Sequence, residues 1–225
     1  MRLPFMPETW SMVLPVLGTG TALLVWGSAT GTPWLDFTAA LVLVLALLIL
    51  NFFRDFERKP SQPLGPREVV SPADGKVVVL AETVEKFHLK QKTVHIAIFM
   101  NPLNNHVQRV PFDGRVVKKA YFPGEFLAAY EDKADLVNEQ CHLVVDLQGG
   151  KGFKSPGRIV LKQIAGLLCR RVKTDPEKGA LLARGDRYGR ILLGSRVDLF
   201  LPKGFKPKVK LGDQVRSGVT VLGEF

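Results

Sequence analysis

The sequence predicts a mainly β protein: a sandwich- or barrel-like domain with hammerhead-type repeats, preceded by N-terminal membrane-associated helices. Three observations carry this. From Val69 onward, short β-branched runs alternate with Gly, Pro and Asp-Gly turns. Two segments of that region echo each other. The first 60 of the 225 residues hold two uncharged apolar stretches.

The stretches are "WSMVLPVLGTGTALLVWG", residues 10–27, and "FTAALVLVLALLILNFF", residues 37–53. About 17 to 20 apolar residues cross a bilayer core as a helix. The second stretch is the stronger; the first contains Pro15, Gly18 and Gly20. Between them "SATGTPWLD" is rich in turn residues and places Trp34 at an interface position. "RDFERKP", residues 54–60, follows with Arg54, Arg58 and Lys59. Basic residues stay on the cytoplasmic side, and a hairpin returns both ends to that side. Residues 1–60 therefore read as a membrane anchor. A cleaved signal peptide fits less well, because Arg2 is the only basic residue ahead of the first stretch and a second stretch follows. Helices lying in one leaflet, or packed on the domain, satisfy the same lengths.

Residues 61–225 read as the β-rich domain. Its strand-like runs are "KVVVLAE", "TVHIAIF", "GRVVKKAYF", "HLVVDL", "RIVLKQIAGLL", "RILLGSRVDLFL" and "VTVLGEF". Residues 125–140, "EFLAAYEDKADLVNEQ", carry helical turns. The echo is "SPADGKVV" (71–78) against "VPFDGRVV" (110–117), two Asp-Gly turns feeding strands. A second pair, "ARGDRYGRIL" and "KLGDQVRSGVTVL", sets Gly-Asp before a strand. That style recurs in lipoyl and biotinyl carrier modules, whose lysine-centred attachment turn is absent here. Residues 190–202, "RILLGSRVDLFLP", read as one strand interrupted by Gly194 and Ser195, hence a bulge.

A formal net charge of +10 implies an anionic partner, either nucleic acid or an anionic membrane surface. No interleaved aromatic and basic pattern supports nucleic acid. Arg54, Arg58 and Lys59 lie beside the apolar stretch, where lipid is the simpler partner. Cys141 and Cys169 have neither disulfide-framework nor metal spacing and read as buried thiols. No His, Cys and carboxylate cluster has metal-ligand spacing. Of four histidines, His95 lies in an apolar strand, His142 begins one and His88 sits among charges. His106 differs, in the Pro/Asn-rich loop "FMNPLNNHVQRVPFDG" after a strand, where catalytic groups tend to sit.

Ser195, His106 and Asp74 could form a nucleophile, base and orienting group. "GSR" is not the G-x-S-x-G elbow of α/β-hydrolases. A second chemistry is open to the same serine: attack on the carbonyl of the residue before it. Gly194 removes the side-chain obstruction there. The ester so formed can eliminate to dehydroalanine, which hydrolyses to a pyruvoyl group at a new N-terminus.

From about Phe52 to its end the chain resembles the short form of the phosphatidylserine decarboxylase family, self-processing pyruvoyl enzymes. The resemblance rests on "FFRDFER", "SPADGKV", "IFMNPLNNHVQRVPFDGRV", "YFPGEF", "DKADLVNEQ", "QIAGLLCRRV", "GDRYGRILLGSRVDLFLP" and "VKLGDQVRSGVTVLG", in that order. It implies cleavage between Gly194 and Ser195, with Ser195 becoming the covalent pyruvoyl group. Asp74 matches the family aspartate of an Asp/His/Ser set, whereas Asp113 in the echo does not. His106 matches the histidine of the H-V-x-R-x-P loop; longer members have a second histidine where this chain has Arg109. The division of labour between His106 and Arg109 stays open. The resemblance further implies a Schiff base with the substrate amine and decarboxylation of phosphatidylserine to phosphatidylethanolamine. "QIAG", with Gln163, Ala165 and Gly166, is a candidate substrate-binding strip, as is Arg109. The implied partners are a membrane phospholipid, the anionic membrane surface and the large and small chains of one proenzyme. A homodimer is a candidate assembly, and the catalytic domain is expected on the cytoplasmic side of the cell membrane. A membrane-tethered adaptor without activity, or a serine hydrolase using Ser195, His106 and Asp74, are the competing functions.

Overall fold

The computed structural model describes residues 5–60, 62–127, 134–149, 154–166, 171–191 and 195–225. They divide into two compact units, Met1–Glu57 and Arg58–Phe225.

The first unit is a helical hairpin. Helix α1 (Thr9–Thr30) ends at Gly31, whose left-handed conformation (φ +63°) lets the Thr32 N–H return to the Gly27 carbonyl at 3.0 Å. Helix α2 (Pro33–Phe52) opens on Pro33, where the missing N–H would have had no partner. Gly20 lies against Val42 and Leu43, and Gly27 against Leu35 and Asp36, so small residues set a close helix approach. Trp26, Trp34, Phe37 and Leu41 point outward and are exposed. Both helices are long and apolar enough to cross a membrane.

The second unit is mainly β. Among the described residues its strands begin with β1 (Glu68–Val70), β2 (Gly75–Glu85), β3 (Gln91–Met100), β4 (Val107–Arg109) and β5 (Gly114–Phe122). A single helical turn, α3 (Ala134–Val137), falls within the stretch expected to carry one. There follow β6 (Gln140–Leu147), β7 (Arg158–Ile164), β8 (Val172–Thr174), β9 (Leu181–Leu182) and β10 (Arg187–Ile191). The chain ends with β11 (Ser195–Pro202), β12 (Lys206–Pro207), β13 (Gln214–Val215) and β14 (Val221–Glu224). Eight strands form a curled half-barrel in the order β13-β2-β3-β11-β7-β6-β5-β9. Two three-stranded sheets, β1-β14-β12 and β4-β10-β8, complete the unit. Strand alternation turns Val197, Leu199 and Leu201 to one face, where they join Ile96, Ile98, Leu143, Leu161 and Tyr188 in the main core. Arg196, Asp198 and Phe200 take the other face.

The sequence echo is a repeat in three dimensions. Lys76 pairs with Phe99 and Arg115 with Asp146, and both ladders break register at the matching place, Val77/Val79 and Val116/Lys118. The Val77 N–H donates to the Asp213 carbonyl (2.9 Å) as the Val116 N–H does to that of Ala180 (3.0 Å). The halves meet at β11 and β7, where Leu199 faces Leu161. The second sequence pair aligns differently. Gly185–Asp186 and Gly212–Asp213 do precede strands, but Gly185 matches Gly218: their N–H groups bond the Val110 and Ser71 carbonyls, each at 2.8 Å. Gly212 matches Gly179, since these donate to Val77 and Val116.

Candidate active site

Ser195 opens β11, is fully buried and pairs with Met100, the last residue of β3. Its Oγ lies 3.9 Å from Met100 Sδ, a weak acceptor that leaves the hydroxyl lone pairs uncommitted to any described donor. Ile191, which ends β10, belongs elsewhere: it pairs with Val172 of β8 in a three-stranded sheet. Residues 190–202 are therefore not one bulged strand. Arg190 pairs with Val107 and Lys173, whereas Arg196 pairs with Phe99 and Ile164, so the chain changes sheets between Ile191 and Ser195. Gly194 lies in that step, outside the described residues. Ile191 and Ser195 are four residues apart and each has its own partners.

His106 is one of those partners. It is fully buried just ahead of β4, and its carbonyl accepts the Ile191 N–H at 3.3 Å. The Asn-rich loop before it is tied by its own side chains: Asn104 Oδ1 accepts the Asn101 N–H (2.9 Å), and Asn101 Oδ1 accepts the Leu103 N–H (2.8 Å). His106 Nδ1 stands 2.9 Å from the Asn104 carbonyl. A carbonyl only accepts, so Nδ1 carries the proton and the basic lone pair is on Nε2.

Gln108, unsuspected from sequence, connects His106 to Ser195. It is fully buried; its Nε2 donates to the His106 carbonyl at 2.8 Å and reaches the same Met100 sulfur at 3.6 Å. Its Oε1 accepts from Gln163 Nε2 at 3.0 Å. Gln163 Nε2 also lies 3.3 Å from the Lys173 carbonyl, and its Oε1 accepts from the Thr174 hydroxyl. The result is a buried polar seam linking β4, β7 and β8.

Asp74 stands one step away. Its carboxylate accepts the Ser217 N–H at 2.8 Å and forms a two-pronged pair with the Arg58 guanidinium, Nη2 to Oδ2 at 2.8 Å. The Ser217 hydroxyl lies 3.1 Å from the Pro72 carbonyl and 3.3 Å from that of Val107. The described contacts thus link Asp74 to the residue after His106 through Ser217. Arg109 Nη1 donates to the Gly185 carbonyl at 2.9 Å. Of "QIAG", Gln163 joins the seam. The Ala165 N–H is committed to the Glu139 carbonyl (2.9 Å), and Gly166 is buried beyond it.

His95 is engaged away from this seam. His95 Nε2 meets Asp198 at 2.9 Å and its ring stacks on Phe200 at 4.3 Å. Burial alone would raise the Asp198 carboxyl, but the His95 hydrogen bond and the Arg196 charge outweigh it and hold it low. Burial pushes the Cys141 thiol up, as an inert cysteine requires; Cys169 lies outside the described residues. Sequence reasoning missed Met100, Gln108, Ser217 and Arg58. Gln108 carried one signal, a polar residue inside the apolar "HVQRVP"; Arg58 carried none beyond its place in "FFRDFER".

The described contacts therefore join a buried serine at the start of β11 to the backbone of a histidine whose Nε2 carries the lone pair, through Met100 and Gln108. Comparison with known proteins gives the family. The model of the phosphatidylserine decarboxylase family matches residues 45–223. A phosphatidylserine decarboxylase proenzyme of Geotalea uraniireducens is 43% identical over 202 residues, covering 90% of this chain and 86% of the relative. Its namesake from Burkholderia ambifaria is 41% identical, covering 80% of each chain. That of Paraburkholderia phytofirmans is 37% identical over 220 residues, covering 96% of this chain and 95% of the relative. The chain belongs to the phosphatidylserine decarboxylase family.

Proposed function

We propose that the protein is a membrane-anchored proenzyme that cuts itself between Gly194 and Ser195 and then decarboxylates phosphatidylserine to phosphatidylethanolamine. The observation that carries this reading is the buried Ser195 hydroxyl, joined through Met100 and Gln108 to His106 at the point where the chain changes sheets.

In the first step His106 Nε2 takes the Ser195 hydroxyl proton as Oγ adds to the Gly194 carbonyl carbon. The Gly194–Ser195 C–N bond breaks, the nitrogen receives the proton, and an ester joins the two chains. Removal of the Ser195 α-proton and scission of its Cβ–O bond leave a Gly194 carboxylate and a dehydroalanine. Water then replaces the nitrogen, which departs as ammonia, and the small chain begins with a pyruvoyl ketone.

The residues present fit that group. The Ser195 position is fully enclosed, begins a strand and has a sulfur rather than a charge beside it. When formed, the group supplies a ketone for the substrate amine and an electron sink for the pair released with CO2. Once its Nε2 has taken up a proton, His106 can pass it to the product α-carbon. Arg54 and Lys59, placed after the second apolar helix, support a cytoplasmic domain beside an anionic membrane surface.

Intact-mass analysis of the purified protein tests the proposal. Two chains are expected, the smaller starting at residue 195 with a blocked N-terminus, together with loss of CO2 from phosphatidylserine vesicles. A single uncut chain whose Ser195 is labelled by a fluorophosphonate would overturn it in favour of a hydrolase.

A further inference from the structure

The aspartate in the first repeat has a partner that its counterpart lacks. Asp74 and Asp113 do the same local job: Asp74 Oδ1 accepts the Ser217 N–H at 2.8 Å, and Asp113 Oδ1 accepts the Arg184 N–H at 2.7 Å. Ser217 and Arg184 each precede the matching glycines, Gly218 and Gly185. Both carboxylates thus pin equivalent turns. Only Asp74 is also held by a guanidinium among the described contacts. Arg58 presents Nη1 to Oδ1 and Nη2 to Oδ2. Asp74 is nearly buried, with its side chain 10% exposed, and Arg58 is 18% exposed. A forked pair of this kind fixes both the charge and the rotation of a carboxylate.

Arg58 is remote in sequence from everything else at the site. It follows the second apolar helix, which ends at Phe52, and it opens the β unit. A tie between a solvent-side linker and a structural turn would need no fork; a point charge would serve. The half of the eight-stranded sheet that has the fork is the half that holds Ser195. His106 lies outside that sheet, just ahead of β4, and Asp74 reaches it through Ser217, whose hydroxyl meets the Val107 carbonyl beside His106.

We propose that Arg58 is a positioning residue for self-cleavage: its fork sets the Asp74 carboxylate, so the segment leaving the apolar helices helps to build the site. This rests on the self-cleaving reading above. The step it serves is the attack of Ser195 Oγ on Gly194 described there, and Arg58 gains and loses no atom in it.

The test is a mutant cycle on the full chain, made by cell-free synthesis with detergent or lipid, following conversion of proenzyme to two chains. Arg58→Ala is expected to slow conversion at least tenfold, and Asp74→Asn at least as much. The double variant is expected to match Asp74→Asn within twofold, because Arg58 acts only through Asp74. Arg58→Lys, which keeps the charge without the fork, is expected to fall between Arg58→Ala and the parent. Folding is read from cooperative melting of each variant in the uncleavable Ser195→Ala background. If Arg58→Ala does not melt cooperatively, Arg58→Lys replaces it in the cycle under the same criteria. Conversion of the Arg58 variant within twofold of the parent overturns the proposal. So does a double variant slowed by the product of the two single effects, which would show that Arg58 acts independently of Asp74. A parent chain that is never cut instead defeats the self-cleaving reading itself, so the two failures are distinguishable.

Discussion

Ser195 and Gly157 occupy the same place in the two halves of the eight-stranded sheet. Ser195 pairs with Met100 at the end of β3, and the Gly157 carbonyl accepts the N–H of Leu147, at the end of β6. Each is followed by an arginine that begins or nearly begins a central strand, Arg196 and Arg158. The halves share ladders, register breaks and turn-pinning aspartates, yet only one carries a nucleophile. In that half the preceding strand ends in a loop that brings His106 back under the junction. In the other half Ser155 simply donates to the Leu147 carbonyl at 2.6 Å. A repeated scaffold therefore supplies the geometry, and departures from the repeat supply the chemistry.

The largest test of that contrast is to remove the serine from one half and add one to the other. Ser195→Ala is expected to remain a single chain by intact mass. Gly157→Ser is expected to create no second cut, since nothing equivalent to His106 serves that position. Because Gly157 has φ +108°, that variant should lose about 1–3 kcal/mol of stability by denaturant melting. A new cut before residue 157 would break the comparison.

Next come the paired aspartates. Asp74→Asn should slow conversion at least tenfold. Asp113→Asn should leave conversion within about threefold of the parent and lower stability by about 1.5–3 kcal/mol, the range of a hydrogen bond to a charged group. Equal effects on cleavage would show that the two turns are not specialised.

Gln108, on β4 outside the eight-stranded sheet, sharpens the comparison further because it links the His106 carbonyl to the Met100 sulfur beside Ser195. Gln108→Leu strands the Gln163 amide and releases the His106 carbonyl. Conversion should slow about tenfold, with about 1–3 kcal/mol lost for the unpaired buried group. Gln108→Glu should recover conversion relative to the leucine variant as pH falls, because a protonated carboxyl can again donate to His106. A constant ratio between the two variants from pH 8 to 5 would remove Gln108 from the site.

The smallest effect on cleavage, but a measurable one on stability, concerns His95 and His142, which also correspond. His95 sits on a carboxylate; His142 Nδ1 lies 2.8 Å from His88 Nε2. Burial, with help from the Lys162 charge, pushes His142 down to about 3. The unfolded chain takes up this proton near pH 6.5 and the folded chain does not until far lower pH. Stability is therefore full above about pH 6.5 and falls as pH drops toward 3, by at most about 1.4 kcal/mol per pH unit from this group. Urea melts of the uncleavable protein from pH 7.5 to 4.5 should show that slope, and His142→Gln should flatten it. An unchanged slope would mean that His88 and His142 are not held neutral together.

Much of this was legible in the chain. Uncharged runs long enough for a bilayer, Asp-Gly turns ahead of β-branched strands and the echo at 71–78 and 110–117 depend on local spacing, which sequence displays directly. Ser195, His106 and Asp74 stood out because their residue types and neighbours resemble a known family. The bulged strand at 190–202 did not survive. Apolar alternation cannot tell one strand from two in different sheets, because the partners of Ile191 and Ser195 lie far away in sequence.

By itself, then, the sequence determined which residues are strand-forming, which segment is lipid-compatible and which serine follows a glycine. Tertiary structure alone decided that Ser195 begins a strand in a different sheet from Ile191, and that Gln108 joins His106 to the Met100 sulfur. It also decided that Asp74, rather than Asp113, meets Arg58. The reason is physical: a side chain's propensity is set by its own atoms and near neighbours, but a buried polar group's role is set by whichever partner the fold brings within 3 Å or so of it.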